Sequence, residues 1–147
     1  MSRLVTFREL DVVVDHRLFG LVDEEGQQGE RPATPGGQGL VAANATMLYI
    51  QTGEDVLDTR LRLESWDGPP VEFDEGLWSV HREVVMHLPS GRFLVDEIAA
   101  GGRSDVFRLP AGGDWRVRAA WRPGVFDDEG VGSGPEGWAL VQFWPGA

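Results

Sequence analysis

The chain has 147 residues and 16.2 kDa, with 24 acidic side chains against 13 basic ones, a net charge of −11 and a pI near 4.6. That balance argues against a general nucleic-acid binder and against a protein drawn to anionic membranes, because both need a basic surface. With no cysteine, disulfide, thiolate-metal and thiol-nucleophile chemistry are excluded.

The length is a prior for one domain spanning 1–147, large enough to bury about 70% of its unfolded surface without a staple. Met1 to Glu9 contains no apolar stretch of signal-peptide length, and no apolar run approaches a membrane span. The expectation is a cytoplasmic protein.

In chain order, the segments between glycine and proline punctuation alternate with a period of two. Leu10–Asp15 and Arg17–Val22 are the first strand candidates, carrying Val12, Val13 and Val14, then Leu18, Phe19 and Leu21. Asp23 to Gln38 is long, polar and glycine-rich, the first of two loops that exceed a hairpin's needs. Gly39–Ala45 has room for one helical turn, and Thr46–Gln51 reads as a strand. Val56–Trp66 is the clearest element: Leu57, Thr59, Leu61 and Leu63 face one way, Asp58, Arg60, Arg62 and Glu64 the other. Asp67-Gly68-Pro69-Pro70 ends it.

Leu77–Leu88, Arg92–Ile98 and Asp105–Leu109 follow as shorter strands, the first two joined by a hairpin at Pro89-Ser90-Gly91. Asp114–Arg122 sets Trp115, Val117, Ala119 and Trp121 opposite Arg116, Arg118 and Arg122. Pro123 to Gly137 is the second long loop. Trp138–Trp144 is apolar on both faces apart from Gln142, which predicts a central strand. About eight or nine short strands with regular turn signals predict an all-β, single-domain antiparallel sandwich.

Searching for chemistry narrows the field. No serine lies in a Gly-x-Ser-x-Gly elbow. His81, Glu83 and His87 share a strand face, but the two histidines stand roughly 20 Å apart at ~3.3 Å per residue, too far for one ion. No metal or cofactor is expected, and no catalytic residue emerges. Trp66 and Trp78 flank the 67–77 loop and are the candidate pair for a small-ligand or carbohydrate site, the alternative reading. Arg116, Arg118 and Arg122, with Arg60 and Arg62, form a positive stripe that Asp58 and Glu64 partly neutralise.

The acidity is local. Residues 9–30 hold seven acidic side chains against Arg17, and residues 123–147 hold four acids and no arginine. Residues 1–8 carry Arg3 and Arg8 and no acid. On charge alone this acidity reads as solubility, although an acidic surface also steers and holds a basic partner through complementary potential.

The order of the motifs carries a resemblance. Asp15-His16-Arg17-Leu18-Phe19-Gly20-Leu21-Val22-Asp23 is followed by a polar insertion and by Gly39-Leu40-Val41-Ala42-Ala43-Asn44-Ala45-Thr46. The strand through Leu61-Arg62-Leu63 follows, then the turn Leu109-Pro110-Ala111-Gly112-Gly113. Over most of its length the chain resembles the competence protein J family, inhibitors of a DNA-entry nuclease. The resemblance implies a β-sandwich that binds and inhibits a nuclease without catalysis of its own, and it transfers no inhibitory residue; under it, the acidic Asp23, Glu24, Glu25, Asp127, Asp128 and Glu129 are candidate contacts for the basic partner. An uncovered sheet edge would permit a homodimer.

Overall fold

The computed structural model describes residues 2–15, 18–26, 41–51, 56–70, 73–78, 80–97, 102–123 and 137–146. His16, Asp127, Asp128, Glu129 and most of the two long loops lie outside the described residues.

Ten strands are formed: β1 (Leu4–Asp15), β2 (Leu18–Asp23), β3 (Val41–Ala43), β4 (Met47–Gln51), β5 (Val56–Trp66), β6 (Val80–Leu88), β7 (Arg92–Asp96), β8 (Gly102–Arg108), β9 (Gly113–Pro123) and β10 (Gly137–Pro145). They make one hydrogen-bonded path that folds over at a corner. β1 meets β2 only at Asp15↔Leu18, so the path divides there into two sheets. One runs β1-β5-β10-β9-β6 and the other β3-β4-β2-β7-β8. The predicted sandwich is what the chain forms, with one strand more than the upper expectation.

The extra strand is β3, where the sequence left room for a helical turn. Asn44 decides the outcome: its Oδ1 accepts from the Thr46 and Met47 amides at 3.0 and 2.8 Å. That turn returns the chain on itself and pairs Val41 with Ile50. β1 also begins six residues earlier than expected, because it pairs with β5 from Leu4↔Trp66 to Asp15↔Val56. A register shift between Leu4 and Thr6 makes a bulge at that end. β10 is central, as its two apolar faces predict, but it runs parallel to β5 and antiparallel to β9.

The core lies between the sheets. Thr59, Leu61 and Leu63 of β5 are buried on the predicted face, opposite Phe19, Leu21, Leu48 and Ile50 of the other sheet. Phe143 of β10 meets Phe93 and Phe107 across the interface, with ring centroids 5.0 and 6.1 Å away. Each such pair adds about 0.5–1.5 kcal/mol beyond burial of area.

Long side chains and one main-chain amide bridge the two open seams at a few points. At one, Arg82 of β6 donates to the Val41 carbonyl at 2.9 Å and the His87 amide to Ala45 O at 2.8 Å. At the other, Arg8 of β1 donates to Val106 O at 2.7 Å and Asp105 O at 3.3 Å, and Arg103 donates to Asp11 O at 2.5 Å. Main-chain carbonyls at the sheet margins thus find partners without a continuous strand ladder.

Candidate functional site

The acidic residues at the end of β2 occupy three different environments. Asp23 is fully buried. Its carboxylate accepts from the amides of Glu25 (2.9 Å), Ser90 (3.2 Å) and Gly91 (2.8 Å) and from Ser90 Oγ (2.8 Å). This corrects its expected place among partner contacts: four donors from the 88–92 hairpin and its own turn consume the carboxylate. Gly91 is at φ 73° and its amide reaches Asp23, which requires the left-handed conformation glycine adopts freely. Glu24 accepts the Asp105 amide at 2.9 Å. Glu25 is exposed and sits 3.4 Å from Arg92.

The described residues that flank the second acidic segment lie elsewhere. Leu88 pairs with Gly113, so the hairpin held by Asp23 lies at the start of β9. Pro123 pairs with Gly137 at the far end of that strand, about 33 Å away at ~3.3 Å per residue. The described ends that carry residues 124–136 are therefore at the opposite pole of the sheet from Glu24 and Glu25.

Trp66 and Trp78 are also separated. Trp78 stacks on Arg122, whose partner across the ladder is Trp138, and Trp138 pairs with Arg60. Trp66 is six residues further along β5, roughly 20 Å. It donates its Nε1–H to Glu64 at 2.9 Å. The two rings do not line one pocket.

Between them, the outer face of the β1-β5-β10-β9-β6 sheet is a layer of arginines and rings. Arg118 lies 4.0 Å from the Phe73 ring centre and 5.7 Å from that of Trp144; Arg122 lies 5.1 and 5.2 Å from those of Trp78 and Trp138. Arg118 Nη2 and Arg122 Nε are buried without a hydrogen-bond partner among the described residues, and the π-faces carry their charge instead. Burial lowers the Arg118 guanidinium pKa, partly offset by Glu83, Glu75 and Glu64. Of the positive stripe expected from β9, Arg118 and Arg122 are thus packed against Phe73 and Trp78, while Arg116 is exposed.

Glu64 ties the layer together. It accepts from Arg62 Nε (2.5 Å), Gln142 Nε2 (2.9 Å) and Trp66 Nε1, while Gln142 accepts from Arg118 Nε at 3.0 Å. Burial pushes the Glu64 pKa up, but these bonds and the Arg62 charge outweigh it and hold the carboxyl below its ordinary 4.5. A depressed carboxylate stabilises the fold fully above that ordinary value, and the contribution is lost as pH falls through the folded value. Glu64→Gln is expected to flatten the fall in stability below about pH 4.5, read as urea midpoints across that range. An unchanged acid limb would show that Glu64 is not a titrating support.

The histidines go elsewhere. His81 packs edge-on to Phe73 with centroids 5.1 Å apart, and His87 contacts Asp114 on the surface. Among the described residues, no three histidine or carboxylate side chains converge in a way that would hold a metal ion.

Sequence reasoning missed a cleft of about 360 Å³ between the facing margins of β1 and β8, lined by Thr6, Phe7, Arg8 and Asp105–Arg108. β8 bulges there: Phe93 pairs with Phe107 but Val95 with Arg103. Asp105, inside the bulge, holds φ 56°, an uncommon conformation for a non-glycine residue. Its amide is fixed by Glu24, and its carboxylate is gripped by Arg108 at 2.7 and 3.2 Å. The Arg108 hydrogen bond leads in holding the Asp105 pKa down, with help from the charges of Arg108, Arg92 and Arg8. The available signal was the arginine-free-of-acid opening segment, with Val5 and Phe7 between Arg3 and Arg8.

The whole arrangement is similar to two solved structures. One is ComJ from Bacillus subtilis, an inhibitor of the DNA-degrading activity of NucA, at TM-score 0.64 and 12% identity over 99% of this chain and 98% of that one. The other is described as crocagin biosynthetic gene J, at TM-score 0.64 and 15% identity over 100% and 99%. No family model matches the sequence, and no curated protein matches it. The chain has a ComJ-like fold along its full length.

Proposed function

We propose that this protein is a non-catalytic binding module that engages a basic protein partner, a DNA-degrading nuclease, and blocks its access to DNA. The observation that carries the reading is the ComJ-like fold across 99% of the chain, shared with an inhibitor of the NucA nuclease. The net charge of −11 supports it, because a nuclease presents positive surface to its substrate and an acidic protein competes for that surface. The candidate contacts are the exposed Glu25 with its neighbour Glu24 at one pole, and Asp127, Asp128 and Glu129. Asp23 acts behind Glu24 and Glu25 by fixing the turn they stand on.

Electrostatic association of this kind weakens as salt shortens the Debye length to about 8 Å at physiological ionic strength and 3 Å at 1 M. The test is the affinity of the purified protein for NucA, followed by calorimetry over a series of salt concentrations. The expected outcome is a complex at low salt whose affinity falls steeply as salt rises, and falls further in an Asp127/Asp128/Glu129→Asn/Asn/Gln variant. Affinity independent of salt would contradict the electrostatic mode, and absence of a complex at low salt would contradict the reading itself.

A further inference from the structure

We propose that the free margin of β1, from Leu4 to Arg8 and flanked by the Arg3 side chain, docks an extended acidic and apolar segment of a partner protein by strand addition. Four observations converge there. Among the described residues, β1 pairs with β5 on one side, but on the other it has no strand partner before Asp15↔Leu18. Main-chain groups of an unpaired strand are a template for another chain.

The apolar side chains at this margin are exposed, Phe7 on the side not stacked by Arg62, whose guanidinium lies 4.2 Å from the ring centre. Leu4 is 37% exposed, Val5 53% and Phe7 54%, three of the five large exposed hydrophobics among the described residues. The cleft between β1 and β8 opens directly beside them, with Thr6, Phe7 and Arg8 on one wall and Asp105–Arg108 on the other, where Val106 and Phe107 are buried. An incoming strand therefore has both a ladder to join and an apolar surface to cover.

Charge selects the occupant. The acids further along β1 are already matched from β5, Glu9 by Arg62 at 3.1 Å and Asp11 by Arg60 at 2.7 Å. Asp105, the acid within the cleft, is held by Arg108. The Arg3 and Arg8 guanidiniums pair with no carboxylate among the described residues: the Arg3 amide, not its side chain, donates to Asp67 Oδ1 at 2.7 Å, and Arg8 donates to two carbonyls. The strip is thus locally positive on a protein of strongly negative net charge. A second copy of the chain fits poorly in the register that overlaps the two margins fully, because antiparallel pairing there sets Arg3 of each beside Arg8 of the other, and like charges across a ladder repel. A segment alternating carboxylates with β-branched residues satisfies the ladder, the cleft and the two arginines together. This inference does not depend on the nuclease reading.

The test uses the full-length protein and three fluorescein-labelled ten-residue peptides. The first alternates glutamate with valine and threonine, the second replaces each glutamate by lysine, and the third places proline at the two central positions of the first. Fluorescence anisotropy is expected to show the glutamate peptide binding at least tenfold more tightly than either of the others. Arg3→Gln/Arg8→Gln is expected to weaken it about tenfold. Should that variant fail to fold, amide hydrogen exchange on the unmodified protein still decides, since strand addition slows exchange between Leu4 and Glu9 when the peptide is present. Equal binding of the lysine or proline peptide overturns the proposal. So does absence of any binding, which would leave Arg3 and Arg8 as charges that keep the margin unpaired. A free protein that sediments as a dimer dissociated by Val5→Arg also overturns it, in favour of a second copy.

Discussion

Asp23→Ala is expected to destabilise the protein by about 3 kcal/mol, lowering the thermal midpoint by roughly 6–12 °C. The carboxylate is fully buried and accepts four hydrogen bonds, three of them from amides and one from Ser90 Oγ. Alanine leaves those donors facing a void, and each buried donor without a partner costs about 1–3 kcal/mol before local relaxation. The hairpin at 88–92 also carries the Gly91 carbonyl, which accepts the Leu109 amide at 2.8 Å, so loosening it reaches β8 and the cleft. Asp23→Asn keeps the shape and one acceptor oxygen, and is expected to lose about half as much. Scanning calorimetry of both variants checks the order. A loss under 1 kcal/mol for alanine would mean that water replaces the carboxylate without penalty.

Gly20→Val is expected to cost about 2–4 kcal/mol, for a different reason. Gly20 pairs with Tyr49 across β2 and β4, and a Cβ built on it comes within 2.3–2.6 Å of three ring atoms. The ring cannot simply swing aside, because Tyr49 donates its hydroxyl to Asp96 at 2.7 Å and packs with Val22 and Met47. Either the strand pair opens or that hydrogen bond breaks. In a double-mutant cycle with Tyr49→Ser, the cost of Gly20→Val should fall to within about 1 kcal/mol of zero. Additive losses in urea unfolding would place the strain somewhere other than the ring.

These two positions show where the sequence was informative and where it was silent. The face assignment of β5 follows from Thr59, Leu61 and Leu63 alone, because side chains alternate strictly along a strand. The central place of β10 likewise follows from two apolar faces. Asp23 misleads in a sequence: it stands first in the run Asp23-Glu24-Glu25, and nothing local says that Ser90 and Gly91, far along the chain, will claim its carboxylate. The same long-range closure hides the partnering of Glu24 with Asp105 and the distance between Trp66 and Trp78, which depend on register across several strands. β3 was missed because three residues are too few for a periodic pattern, and the Asn44 turn that creates it acts through a side chain. The arginines of β9 alternate as predicted, yet a strand's outer face reads as solvent until the 67–78 segment is seen to cover it with Phe73 and Trp78.

Among the described residues, the fold offers acidic groups at the β2 turn and an apolar margin with two arginines along β1. The most direct measurement of the proposed function is degradation of linear DNA by NucA while this protein is titrated in at low salt. The account predicts that cleavage falls to background near one inhibitor per nuclease and returns as salt is raised. DNA degradation that continues unchanged at tenfold molar excess would contradict it.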